Sequence, residues 1–303
     1  MKLSLPIKLG IFVLVLFAVV IATCLLWTPV RIRYYMGKLK SDNPKERVAG
    51  VDGLLGMGRK GVDALGEVLN GGIEAAKFIS YHWKRCAKQI DRRQSRSSRP
   101  PLHSAAGRGY RDVADLLILK GADVNEKENT QYAYTPLHLA ATGGRKQVAE
   151  LLISKGANIN AKCSYGASPL HNAVFYDRRK VVGILIKNGA DVDLEADNDV
   201  TPLKVAIGRE NHDITEILID NSADVNKVDS FGYSLLHYTA LRGYKDLTSL
   251  LVSKAAEINA MDDNGRTPLD RATDTEIISF LRSHGGLTGE EIREQGNKET
   301  RKK

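Results

Sequence analysis

From residue 100 the chain copies itself. The strings PPLHSAA, TPLHLAA, SPLHNAV, TPLKVAI, SLLHYTA and TPLDRAT begin at Pro100, Thr135, Ser168, Thr201, Ser234 and Thr267, one step of 35 residues followed by four of 33. A second set of strings, KGADVN, KGANIN, NGADVD, NSADVN and KAAEIN, runs in phase with the first. This period constrains the fold more than any composition does. A unit of 33 residues holds two short helices and a connection, and it leaves an apolar face bare on each side. Copies must therefore stack, and stability becomes a sum of unit and neighbour terms.

Each copy carries its own punctuation. Thr135, Ser168, Thr201, Ser234 and Thr267 are hydroxyl residues suited to accept from the free N–H groups of a helix start. Pro101, Pro136, Pro169, Pro202 and Pro268 fit the first helical position, and Leu235 replaces proline once. Leu102, Leu137, Leu170, Leu203, Leu236 and Leu269 follow as candidate core residues. Gly109, Gly144 and Gly243 end the first helix, with Asp177 and Glu210 replacing glycine in two copies. Gly121, Gly156 and Gly189 end the second, with Ser222 and Ala255 as replacements. Asn125, Asn160, Asp193, Asn226 and Asn259 open the connection to the next copy. The pattern predicts an all-α fold.

With TPLH and GADVN recurring in register at this period, the segment 100–286 resembles the ankyrin repeat family. The resemblance covers 187 of the 303 residues and six copies. It implies an ankyrin-repeat solenoid of helix-turn-helix units with projecting hairpin loops. It also implies that His103, His138, His171 and His237 are motif histidines that hydrogen-bond between neighbouring copies. In the family, partners bind the concave side formed by hairpin tips and the outer face of each first helix. Carried onto this chain, the hairpin positions hold Tyr132, Tyr134, Tyr165, Phe231, Tyr233 and Arg266. The first-helix positions hold Phe175, Tyr176, Arg209 and Arg242. Tyrosine and arginine dominate binding energy at protein interfaces, so these ten residues are the candidate partner-binding set. The last copy, with Asp270 for the motif histidine, reads as a closing cap.

The first hundred residues are of another kind. Residues 9–30 form a run of 22 uncharged residues that spans roughly 33 Å as a helix, the thickness of a bilayer's hydrocarbon core. They are expected to form a single transmembrane helix behind an N-terminal tail, 1–8. The chain has 44 Lys and Arg against 36 Asp and Glu, a net charge of +8. The excess lies in residues 31–100, with 16 basic and 7 acidic residues. The basic juxtamembrane segment 31–40 thus places the repeats in the cytoplasm by the positive-inside rule. Because the excess is local, the pI of 9.2 does not argue for a nucleic-acid-binding fold.

Residues 41–90 read as a helical block. Asp42 or Asn43 caps a first helix with Pro44 at its start, and Val48, Val51, Leu54 and Leu55 repeat at helical spacing. Val62, Leu65, Val68 and Leu69 form a second stripe, and the pair resembles one HEAT-type hairpin. A third helix carries Ala76, Ile79, Trp83, Cys86 and Ile90 on one face and serves as a cap. Residues 91–99 are a basic, serine-rich linker, and the charged tail 287–303 is expected to be disordered.

No constellation for catalysis can be assembled. GxxxxGK[ST], HExxH, GxSxG and EF-hand patterns are absent, and Cys24, Cys86 and Cys163 show no metal or disulfide spacing. No cofactor and no metal is expected, and the chain is read as a non-enzyme. The sequence points to a membrane-anchored, single-pass scaffold that binds one or more proteins on its repeat surface. Two alternatives remain. The basic residues 77–99 bind anionic lipid or nucleic acid, or the chain is a regulatory subunit of a membrane enzyme or channel.

Overall fold

The computed structural model describes residues 29–57, 59–70, 72–86 and 99–300. The chain divides into two compact blocks: residues up to Gln94 together with Tyr110–Asp123, and Ser95–Gly109 together with Val124–Lys303. Among the described residues the regular structure is helical. A 3-10 turn at Asp197–Asp199 and two isolated bridges, Ala196 to Val200 and Val228 to Ser234, complete it.

In the first block, α1 is described over 29–39, followed by α2 (Pro44–Leu55), α3 (Arg59–Gly66) and α4 (Gly72–Cys86). The α2 start follows the sequence reading. Asn43 Oδ1 accepts from the Lys45 N–H at 2.9 Å, and Pro44 opens the helix. Val51, Leu54, Leu65, Ala75, Ala76 and Ile79 are fully covered. At Gly61 an added Cβ would stand 1.8 Å from the Leu54 carbonyl oxygen, so only glycine permits that approach of α3 to α2.

The helix α5 (Pro101–Arg108) belongs to the second block, but α6 (Arg111–Leu119) belongs to the first. The division between the two blocks therefore runs through the first copy. The reason is a set of polar contacts that periodicity does not encode. Arg47 pairs with Asp115 at 2.8 Å and Lys120 with Asp52 at 3.2 Å. Asn70 donates its N–H to Asp112 and accepts from the Arg111 N–H, both at 2.8 Å. Phe78 meets Tyr110 edge to face.

The second block continues as helix pairs: α7 (Pro136–Thr142) and α8 (Lys146–Ser154), α9 (Pro169–Phe175) and α10 (Arg179–Lys187), α11 (Pro202–Gly208) and α12 (His212–Asp220). Then come α13 (Leu235–Arg242) and α14 (Lys245–Ser253), α15 (Pro268–Arg271) and α16 (Thr275–Ser283), and finally α17 (Gly289–Thr300). The stripes read from sequence are the core: Leu137, Leu152, Leu170, Leu185, Leu203 and Leu218 are fully covered. Every first helix but the last is followed by a left-handed residue, whether glycine (Gly109, Gly144, Gly243) or its replacement (Asp177 φ 54°, Glu210 φ 53°). The second-helix ends behave alike, with Ser222 at φ 69° and Ala255 at φ 64°. The stacked scaffold imposes the conformation even where a side chain opposes it.

Two expectations are corrected. The single-pass membrane location built on 9–30 does not stand: among the described residues no helix is long and apolar enough to cross a membrane. Residues 1–28 lie outside the described set, as do 87–98, which hold most of the basic linker. The tail 287–303, expected to lack order, is helical over Gly289–Thr300. Thr288 and Glu291 form its capping box, and Glu291 also pairs with Arg282 at 2.6 Å.

Candidate functional site

The surface of the second block is positioned by two hydrogen-bond ladders, one buried and one at the surface. In the first, the imidazoles of His138, His171 and His237 each receive the backbone N–H of their own helix cap at Nδ1, from Thr135 at 3.2 Å, Ser168 at 3.1 Å and Ser234 at 3.2 Å. An accepting Nδ1 leaves the proton on Nε2. That N–H donates to a carbonyl 29 residues on: Ala167 at 3.0 Å, Val200 at 2.9 Å and Arg266 at 3.0 Å. His103 reaches Tyr134 O at 2.9 Å, but its cap is Pro100, which offers neither N–H nor hydroxyl, and Nδ1 is left buried without a partner. The motif histidines thus bond one copy to the next.

Burial lowers the pKa of all four rings, that of His138 to about 4, against the carbonyl contacts that favour the proton. The shift favours the neutral form of each ring. Two copies depart from the rule. Lys204 stands at the motif position and turns to Asp229 at 3.2 Å. Asp270 stands there in the last copy. Its Oδ2 takes the Thr267 N–H at 2.9 Å and the Gly289 N–H at 2.8 Å. After this copy the chain presents a helix start, with free N–H groups, in place of a carbonyl. A carboxylate is the matching acceptor.

The second ladder uses the Asn and Asp residues that open each connection. Asn125, Asn160, Asp193, Asn226 and Asn259 accept, through a side-chain oxygen, the N–H of Asn158, Asp191, Asp224, Glu257 and Leu287. Sequence reading gave them only a place in a turn. At the hairpin tips, Ser164, Asp197 and Asp263 donate their N–H groups to the carbonyls of Tyr132, Tyr165 and Phe231. Successive tips are therefore held in register. The left-handed tip position is filled by Ala133, Gly166, Asp199, Gly232 and Gly265.

On this frame the ten candidate residues sort into four groups. Tyr132, Tyr134 and Tyr165 come together: Tyr132 stacks on Tyr134 at 5.3 Å and lies 6.0 Å from Tyr165. Tyr132 and Tyr165 keep 39% and 52% of their surface open, whereas Tyr134 leans on the His138 ring. Phe175 and Tyr176 form a second pair at 5.1 Å, each about half open, with the Arg209 guanidinium 4.9 Å over the Phe175 ring. Phe231 stands apart, 67% exposed, and Arg266 is exposed.

The remaining two are engaged within the fold. Tyr233 is sandwiched between His237 and the Arg271 guanidinium, 4.6 Å from its ring, and Arg271 is itself bonded to the buried Asp262. Arg242 lies 5.3 Å over Tyr238. Tyr238 and Lys204 are surface features that the carried-over positions left out. The anomaly at position 204 of the motif was their visible signal. Of the basic segment 77–99, Lys77 pairs with Glu74 at 3.0 Å and Arg99 with Glu128 at 2.6 Å. The side chains of His82 and Cys86 fall outside the described residues. Among the described residues no group of His, Cys, Asp and Glu could hold a metal ion.

A family model described as ankyrin repeats (3 copies) matches residues 102–196, 163–229 and 203–291. No curated protein matches the chain.

Proposed function

This chain belongs to the ankyrin-repeat family, and on that premise we propose that it captures a partner protein on the band made by its hairpin tips and first-helix ends, without catalysis. Ankyrin repeats are generally protein-binding modules. The observation that carries the finer reading is the placement of Tyr132, Tyr165, Phe175 and Tyr176 on neighbouring copies with rings open to solvent, the first two on backbones tied by the tip ladder and the last two at the end of α9. Contiguous exposed aromatic surface marks an interaction site. Rings already held in place lose little conformational freedom on binding, so more of their burial appears as affinity.

The test is quantitative affinity capture with the full chain against the variant Tyr132→Ala, Tyr165→Ala, Phe175→Ala. Captured partners are expected to fall at least tenfold in yield with the triple variant. Unchanged recovery of every partner, with unchanged thermal unfolding of the bait, would refute the reading.

A further inference from the structure

The hairpin tips carry charge as well as rings. Residues 191–199 hold five carboxylates and no cation. Four of the five are committed inside the fold. Asp191 Oδ1 accepts the Asp193 N–H and Asp193 Oδ1 accepts the Asp224 N–H, each at 3.0 Å. Glu195 pairs with Lys227 at 3.0 Å, and Asp199 Oδ2 accepts the Ser230 N–H at 3.0 Å. The Lys162 ammonium donates to the Glu195 carbonyl at 2.8 Å. Asp197 is exposed, and among the described residues its carboxylate has neither a hydrogen bond nor an ion pair.

This carboxylate stands beside an open ring. The Asp197 N–H donates to the Tyr165 carbonyl at 3.1 Å. A Cβ added at Gly166, the residue after Tyr165, would lie 2.9 Å from Asp197 Oδ1, so the carboxylate rests against the tip that carries the ring. The arrangement recurs two copies on, where the Asp263 N–H donates to the Phe231 carbonyl at 3.2 Å and Asp263 Oδ1 lies 2.9 Å from a Cβ added at Gly232. There the exposed Arg266 follows three positions later and offsets the charge. At the Tyr165 tip, Lys162 and Lys227 both engage Glu195 and leave Asp197 alone.

The molecule shows what a ring and a carboxylate hold between them. The Arg271 guanidinium lies 4.6 Å over the Tyr233 ring while it bonds Asp262, and the Arg209 guanidinium lies 4.9 Å over Phe175. A flat guanidinium stacks on a ring and reaches a carboxylate with its N–H fork at the same time. Any segment that covers the Tyr165 ring also takes water from Asp197, and a covered carboxylate without a partner is costly. The segment must therefore bring a cation.

We infer that Tyr165 and Asp197 form a subsite for an arginine side chain, carried by a peptide segment of net positive charge that lies on the aromatic band. The guanidinium stacks on the Tyr165 ring and donates to the Asp197 carboxylate, while apolar residues of the segment cover the neighbouring rings. The inference rests on the partner-binding reading above and names the chemistry of the partner.

The test pans a displayed library of random twelve-residue peptides against the full chain. Selected peptides are then measured by fluorescence anisotropy against the wild type, Asp197→Asn, Glu150→Gln and the triple aromatic variant. The Asp197 side chain has no partner among the described residues, so Asp197→Asn is expected to keep the wild-type urea midpoint. Glu150→Gln removes the same charge from the exposed face of α8. Selected peptides are expected to share an arginine at a fixed distance from apolar residues. Replacing that arginine by glutamine should weaken binding to the wild type about tenfold or more, and to Asp197→Asn less than about threefold. Glu150→Gln should bind the parent peptide within about twofold of the wild type. Three results overturn the subsite and leave the aromatic band standing: equal weakening in the wild type and Asp197→Asn, an effect of Glu150→Gln as large as that of Asp197→Asn, or selected peptides without a shared arginine. Peptides that ignore the triple aromatic change overturn the band. Failure of the wild type to select any peptide overturns both.

Discussion

At the residue scale, the first motif histidine exposes how the ladder works by lacking part of it. His103 has its outgoing bond to Tyr134 O but no donor at Nδ1, because Pro100 sits where serine or threonine sits in the later copies. Pro100→Ser supplies an N–H, a hydroxyl and a helix cap, and its backbone at φ −56°, ψ 149° is one serine adopts readily before proline. The change is expected to stabilise the protein by about 1–2 kcal/mol, read as a rise in urea midpoint at constant slope. An unchanged midpoint would show that the unpartnered nitrogen costs nothing. The same scale shows what was legible beforehand. The hydroxyl caps, helix-opening prolines and left-handed glycines are local chemistry, and they appear in the structure where their residues stand. The left-handed Ser222 and Ala255 follow only from their place in the period, since neither residue favours that conformation by itself.

At the element scale, the aromatic residues that one rule placed on a single band part company. Tyr165 stands open at a hairpin tip, whereas Tyr233 is wedged between a buried histidine and a guanidinium anchored on Asp262. Tyr233→Ala is expected to cost about 1–3 kcal/mol of unfolding free energy and Tyr165→Ala under about 0.5 kcal/mol, measured by urea denaturation. Equal losses would mean that the two rings do the same work. Motif register locates such positions on a hairpin but cannot tell a contact ring from a packing ring. The difference lies in Arg271, 38 positions away in the chain. The α17 helix was hidden for a similar reason. Its sequence is polar, and its order comes from Asp270, Arg282 and a capping box rather than from an apolar stripe.

For the whole molecule, the histidine ladder makes stability depend on pH. An unfolded chain takes up protons at these imidazoles near pH 6.5, while the folded rings resist, His138 to about 4. Protons therefore favour the unfolded state as pH falls through this window, and stability is complete only above it. His138 alone accounts for about 3 kcal/mol lost between pH 6.5 and 4. The urea midpoint is expected to drop steadily from pH 7 to 4, and an NMR titration should find the His138 ring neutral at pH 5. Titration of that ring near 6.5 would contradict the buried ladder. Periodicity by itself determined that helix pairs stack, where each helix starts and turns, and which leucines are buried, because one stacking problem is solved repeatedly with local means. Three matters were left to tertiary structure: that α6 lies with the N-terminal block, which rings remain open, and that Asp197, among the described residues, stands without a partner beside an open ring. Each depends on side chains distant in the chain meeting in space, and a repeat averages over those meetings.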